Sequence, residues 1–331
     1  MSDTNRPSPK AAYAALPLFL LALASCELPA IDVPRYALVY GISIYDDAAA
    51  EGSSYNLRYA DDDARAIGSL LETEGWSIYA LAARGRPNGG AAEDAERPDA
   101  TKARIARDFA DLAETLPEGA MVFAYFSGHG FFDGETEYIV PFGEISPILD
   151  EDDYSGCISP ADLRSWLAAL PTDRIVVVID TCYSGGFVSA GSAKDIAPQN
   201  YGEWDDGTTP DPLTTAISNF GELLAANARA SGTPQPIVIS AAGSRELSYD
   251  DRDKAQGAFS YYFLQAPEKA DSDGNGLVTA TEAYAFCADS LKANWNEEYK
   301  HSIDWSTGIF QDFLPHISGG ARDLVLFSDF D

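Results

Sequence analysis

Two short apolar runs constrain this chain more than any other feature. Ile175 to Ile179 is unbroken and β-branched, and Asp180-Thr181-Cys182-Tyr183-Ser184-Gly185-Gly186 follows it. Met121-Val-Phe-Ala-Tyr-Phe126 is a second such run, followed by Ser127-Gly128-His129-Gly130. Each has the length of one strand buried on both faces, as parallel sheets require. Open α/β sheets carry their sites at the carboxyl ends of such strands. The paired glycines predict a sharp turn just after Cys182. Set side by side, the two strands bring Cys182 and His129 to one sheet edge, although they are 53 positions apart in sequence. A thiolate is the attacking species, and a nearby imidazole generates it near neutral pH. Taken singly, a cysteine after a strand reads as a buried, inert small residue and a histidine between glycines as a loop residue. Their occurrence together at equivalent strand ends favours chemistry. His301 and His316 lack this setting.

The rest of the chain supplies alternating strands and helices. Strands are expected at 36–44, 76–81, 121–126, 175–179 and 237–241, with a short extra one at 138–141 and a last one at 323–327. Helices are expected from Arg58 to Glu74, from Lys102 to Thr115, and from Ser159 to Leu170, where Ser159 caps and Pro160 opens the first turn. A strand, a helix and a strand in succession imply a parallel sheet. The expected fold is α/β, a three-layer α/β/α sandwich around a mostly parallel sheet of about six strands. Residues 84 to 100, rich in Gly, Pro, Asp and Glu, read as a surface loop.

Ser-Gly-His-Gly after one strand and Asp-Thr-Cys-Tyr-Ser-Gly-Gly after another resemble the caspase-like cysteine peptidases, especially the metacaspase and bacterial branch. The resemblance extends over residues 35–331 and implies the same three-layer architecture. It implies a cysteine endopeptidase with His129 as base and Cys182 as nucleophile. The expected oxyanion donors are the backbone N–H groups of Gly130 and Cys182. No third triad residue is evident. In metacaspases, the positions matched by Asp63, Ser127 and Asp180 line a pocket for an arginine or lysine side chain. Protein or peptide substrates with Arg or Lys before the cut bond are therefore expected. Two carboxylates in one partly buried pocket need a cation between them. The other readings are that Asp61, Asp62 and Asp63 form a solvated helix start, and that Asp180 serves the turn. Caspases that cut after aspartate use arginine instead, and Arg58 is the nearest candidate here.

Residues 187 to 235 form a long acidic insertion without strand signals. The corresponding linker is often cut in this family. Its basic residues are Lys194 and Arg229, the expected points of any self-cleavage. Asp271-Ser-Asp273-Gly-Asn275-Gly276-Leu277-Val-Thr279-Ala-Thr-Glu282 fits the EF-hand loop. Asp271, Asp273, Asn275, the Leu277 carbonyl, Thr279 and Glu282 are the expected Ca²⁺ ligands, between helices at 257–270 and 281–294. A single hand more often staples structure than switches it. No organic cofactor is expected.

At the start, Arg6 and Lys10 precede an apolar run from Ala11 to Ala24, of signal-peptide length and too short to span a bilayer. Leu23-Ala24-Ser25-Cys26 resembles a bacterial lipobox, which makes residues 1–25 a lipoprotein signal, Cys26 the lipidated residue and 26–34 a linker. An ordinary secretory signal is the other reading. The expected location is the bacterial cell envelope, on the periplasmic face or at the outer membrane, held by acyl chains alone. Cys157 and Cys287 are left as a disulfide pair or as buried free thiols. A net charge of −30 argues against nucleic acid as a partner. Two other classes stay open: a catalytically silent caspase-like calcium-binding lipoprotein, and a different thiol enzyme such as a transferase or thioesterase.

Overall fold

Alternation along the strands feeds two separate cores. In β1 (Arg35–Ile42), Ala37 and Val39 enter one core, and Leu38, Tyr40 and Ile42 enter the other. A computed structural model describes residues 33–45, 56–84, 100–133, 136–144, 153–183, 236–242, 248–251, 253–299, 313, 315–319 and 323–328. Helix α1 (Ala60–Thr73) lays Ala64, Ile67 and Leu71 on the first core, and β2 (Ser77–Arg84) then runs parallel to β1. Helix α2 (Lys102–Thr115) starts where the Thr101 side chain accepts the Arg104 N–H at 3.2 Å, and it places Ile105, Phe109 and Leu112 on the second core. Each such side chain contributes about 1.5–3 kcal/mol by leaving water.

Strand β3 (Met121–Phe132) pairs in parallel with β1, and β4 (Glu137–Ile139) folds back antiparallel on its last residues. Helix α3 (Pro160–Ala169) begins at a reciprocal Ser159–Asp162 capping box, and Leu163 and Leu167 join the second core. Strand β5 (Ile175–Tyr183) is parallel to β3, and β6 (Ile237–Ser240) is parallel to β5. A small hairpin, β7 (Asp250–Asp251) and β8 (Gln256–Gly257), leads into α4 (Ala258–Phe263) and α5 (Ala266–Lys269). Strand β9 (Leu277–Thr279) precedes α6 (Ala280–Ser290), which passes into a π turn at Leu291–Asn296. Strands β10 (His316–Gly319) and β11 (Val325–Ser328) follow.

Among the described residues the main sheet has seven strands, in the order β10-β6-β5-β3-β1-β2, with β4 attached to β3. All pairings from β6 to β2 are parallel, while β10 and β4 are antiparallel. Helices α1, α4 and α6 cover one face and α2 and α3 the other, so the expected three-layer α/β/α sandwich is the observed one.

Three expectations need correction. The last strand does not join the sheet: β11 pairs with β9 in a separate ribbon, and β10 takes the outer sheet position beside β6. The Leu326 carbonyl accepts from Trp76 Nε1 at 3.2 Å and Arg35 Nη1 at 3.3 Å, which fixes β11 as a seal on the first core. The helix expected over 257–270 is two short ones, because Pro267 has no N–H with which to continue α4. Finally, β3 and β5 run on through both motifs to Phe132 and Tyr183, so the candidate residues lie within the ladder rather than in turns beyond it. Among the described residues, no helix is long and apolar enough to cross a membrane.

Candidate active site

Register brings the two motifs together. Ser127 faces Asp180, Gly128 faces Thr181 and His129 faces Cys182 across the β3–β5 ladder, where neighbouring parallel strands lie about 4.8 Å apart. By alternation from Tyr125 and Val178, positions 127 and 180 fall on the sheet face covered by α1 and α4, and beyond Gly128 the alternation breaks, since Phe131 joins the second core. Gly130 is next along, opposite Tyr183 on one side and Ile139 on the other. The Cys182 backbone is described and its side chain is not.

His129 is buried, and Tyr45 positions it. The two rings lie 4.7 Å apart at 33°, and the Tyr45 hydroxyl accepts the His129 backbone N–H at 2.5 Å. On its other side, the His129 carbonyl accepts from Val140 N–H at 3.0 Å. Gly128 is needed for this approach, since a Cβ there would stand 2.6 Å from the Tyr45 oxygen. Nothing in the spacing around Tyr45 announces this role.

The acidic residues of α1 separate into two groups. Arg65 donates to Asp61 and Asp62, and the Asp61 N–H is held by Ser43 Oγ at 3.0 Å. Asp61 and Asp63 are both buried, but Asp63 turns towards the 250–257 segment, where both its oxygens accept the Gly257 N–H, at 3.0 and 3.1 Å. Close packing of α1 on β1 sets this depth: a Cβ on Gly41 would lie 2.1 Å from the Ala60 carbonyl oxygen. Asp180 comes to the same place from β5. Ser260 Oγ donates to its Oδ2 at 2.5 Å and Ser248 Oγ donates to its Oδ1. Tyr125 OH and Ser260 Oγ are 2.6 Å apart. Asp63, Ser127 and Asp180 are all buried.

Burial pushes the Asp63 carboxyl well up, the charge of Asp180 adds to this, then that of Asp250, and the Gly257 N–H opposes them. Asp180 is also raised by burial, against the hydroxyls of Ser248 and Ser260. Burial favours the neutral form of each carboxyl. Gly257, Ser260, Ser248 and Tyr125 were not singled out by the sequence, because no local spacing links them to either motif. Arg58 is exposed.

The 271–282 loop folds around its first carboxylate. Asp271 accepts the N–H groups of Gly274 at 2.8 Å, Asn275 at 3.1 Å and Gly276 at 2.8 Å, and the last of these leads in holding its pKa down. Asn275 Oδ1 accepts the Leu277 N–H at 2.7 Å. Thr279 and Glu282 form the capping box of α6. Burial raises Glu282, but donors from Thr279 and Ser272 outweigh it and leave its pKa lowered. Carboxylate oxygens of Asp271, Asp273 and Glu282 lie within 4.8 Å of one another. An all-oxygen donor set with this charge fits a hard divalent cation.

A family model for the caspase domain matches residues 34–300. The chain belongs to the caspase-domain family. Two solved structures resemble this caspase domain. Protein GSU0716 from Geobacter sulfurreducens is 16% identical, with a TM-score of 0.49 over 87% of this chain and 94% of that one. Caspase-1 from Spodoptera frugiperda is 12% identical, with a TM-score of 0.47 over 89% of this chain and 90% of that one. A comparison with curated proteins finds no match.

Cys157 and Cys287 are free and buried, in the second and first cores respectively, so the sheet separates them and they do not pair. The lipobox with Cys26, the 187–235 insertion with Lys194 and Arg229, and most of the 84–100 loop lie outside the described residues.

Proposed function

We propose that this caspase domain is a cysteine endopeptidase of the metacaspase type, cutting peptide bonds after Arg or Lys. One observation carries the reading: His129 faces Cys182 in register, while Asp63 converges with Asp180, two residues before Cys182, on one point beside Gly257. In the proposed mechanism, His129 takes the Cys182 proton and the thiolate attacks the scissile carbonyl carbon. The carbonyl π electrons move onto oxygen, where the N–H groups of Cys182 and Gly130 receive the charge. As the C–N bond breaks, His129 returns the proton to the leaving amine. Water, deprotonated by His129, then cleaves the thioester and regenerates the thiol. The substrate's basic side chain sits against Asp63 and Asp180, with Ser127 beside them, and a guanidinium or ammonium offsets charge that burial otherwise opposes.

Three further elements belong to the proposal. A Ca²⁺ held by Asp271, Asp273, Asn275, the Leu277 carbonyl, Thr279 and Glu282 would tie the loop to α6 and the β9–β11 ribbon, a structural role remote from the reacting pair. Self-cleavage, where it occurs, falls at Lys194 or Arg229. Cys26 carries the acyl chains that hold the enzyme to the bacterial envelope.

The test is covalent. A peptidyl acyloxymethyl ketone ending in Arg labels wild-type protein, and mass spectrometry places the adduct on Cys182. The analogue ending in Asp does not label. Exclusive labelling by the Asp reagent removes the acidic-pocket assignment, and labelling at neither removes the peptidase.

A further inference from the structure

We infer that Gly257, with Ser260 one turn along α4, is the positioning element that makes Asp63 and Asp180 act as a single cation-binding pair. It thereby sets discrimination in favour of a charged side chain over an uncharged one of the same shape. The inference rests on the basic-specificity reading above and adds residues to which neither motif points: Gly257 lies 194 positions from Asp63.

Backbone conformation does not call for a glycine at 257. Its φ of −60° and ψ of 137° are open to any residue, so conformation gives no reason for glycine here. Space does. A Cβ at this position would stand 2.8 Å from Asp63 Oδ2 and 3.0 Å from Asp180 Oδ2. Carbon cannot remain that close to two carboxylate oxygens, so a side chain would drive them apart. Because both oxygens lie so near one point, they are within about 6 Å of each other. That span suits a planar guanidinium, or an ammonium, hydrogen-bonded to both.

The backbone and hydroxyl donors then fix the orientation. The Gly257 N–H is shared between both oxygens of Asp63, while Ser260 and Ser248 each take one oxygen of Asp180. A carboxylate offers about four lone-pair sites, so acceptors remain for a ligand. Facing the pair are Asp62 beside Asp63 on α1, Asp250 on β7, Tyr125 on β3 and Cys287 on α6. None of these described residues is a cation, and in this proposal the guanidinium or ammonium of a ligand supplies the charge.

The experiment compares peptides ending in Arg and in citrulline, its uncharged isostere, on wild type, Gly257→Ala and Ser260→Ala. In Gly257→Ala the Arg-over-citrulline preference in kcat/KM falls by about tenfold or more, as expected for losing one charge-assisted hydrogen bond. The loss appears in KM, while kcat and the rate of Cys182 alkylation by iodoacetamide are kept. In Ser260→Ala, which removes a donor without adding bulk, KM for the Arg peptide reaches its low plateau at a higher pH. If both variants keep the preference and the pH profile, or lose Arg and citrulline activity equally, the inference is overturned while basic specificity stands. If wild type itself does not prefer Arg to citrulline, the underlying reading fails first.

Discussion

Glu137 offers a test of the fold at the end of the strand that carries His129. It pairs with Phe132 across β3 and β4, and its Oε1 is enclosed without a hydrogen-bond donor among the described residues. Burial pushes its carboxyl from the ordinary 4.5 up to about 8. The folded chain therefore binds this proton more tightly than the unfolded one. Stability is highest at and below the unfolded value, falls as pH rises from about 4.5 towards about 8, and levels off above. The full shift corresponds to a ceiling of about 5 kcal/mol. Relaxation and water at the short strand lower what is realised, to about 2 kcal/mol or more. Glu137→Gln cannot ionise, so the variant and wild type should have similar urea midpoints at pH 4, below the unfolded value. At pH 9 the variant should be the more stable by that amount. The Asp63–Asp180 pair contributes a slope of the same sign, but it is common to both proteins and cancels in the difference. Parallel stability curves from pH 4 to 9 would refute the reasoning.

Other outcomes follow from the same geometry. Asp180→Asn leaves the Arg pocket with one charge and should raise KM for Arg peptides by about a hundredfold, on the scale of breaking a buried pair, with iodoacetamide alkylation of Cys182 unchanged; an unaltered KM contradicts the pocket. Calcium at a hundred times its dissociation constant should stabilise the protein by about 2.7 kcal/mol, and Glu282→Gln should abolish the shift; an equal shift in both proteins places the ion elsewhere. Burial pushes the Cys157 thiol up to about 12 and the Cys287 thiol well up. Alkylation of the folded protein mapped by mass spectrometry should then find Cys182 labelled and these two only after denaturation; labelling of either in the native state contradicts the two-core packing.

The sheet and its helices were legible because buried parallel strands are written as unbroken apolar runs and helices as capped periodic segments. Ser159 and Pro160 mark their helix start in the sequence as in the structure, while the Thr101 cap of α2 emerged only from the structure. The end of a strand was less legible. Backbone pairing carries β3 and β5 through Ser127–Gly130 and Asp180–Cys182, since a ladder needs N–H and C=O groups rather than apolar side chains. The pairing of β11 with β9 depends on what the first core lacks, which no local pattern reports. Asp63 and Asp180 could be placed by their motifs, but the groups that hold them could not. Gly257, Ser248 and Ser260 come from a segment beyond β6 and meet the carboxylates only through the fold.

The most direct measurement is hydrolysis of matched fluorogenic peptides ending in Arg, Lys or Asp by wild type and by Cys182→Ala, with calcium and with chelator. The account predicts release after Arg and Lys by wild type, none after Asp, and none from the variant. Release after Asp alone, or release that survives in Cys182→Ala, would contradict it.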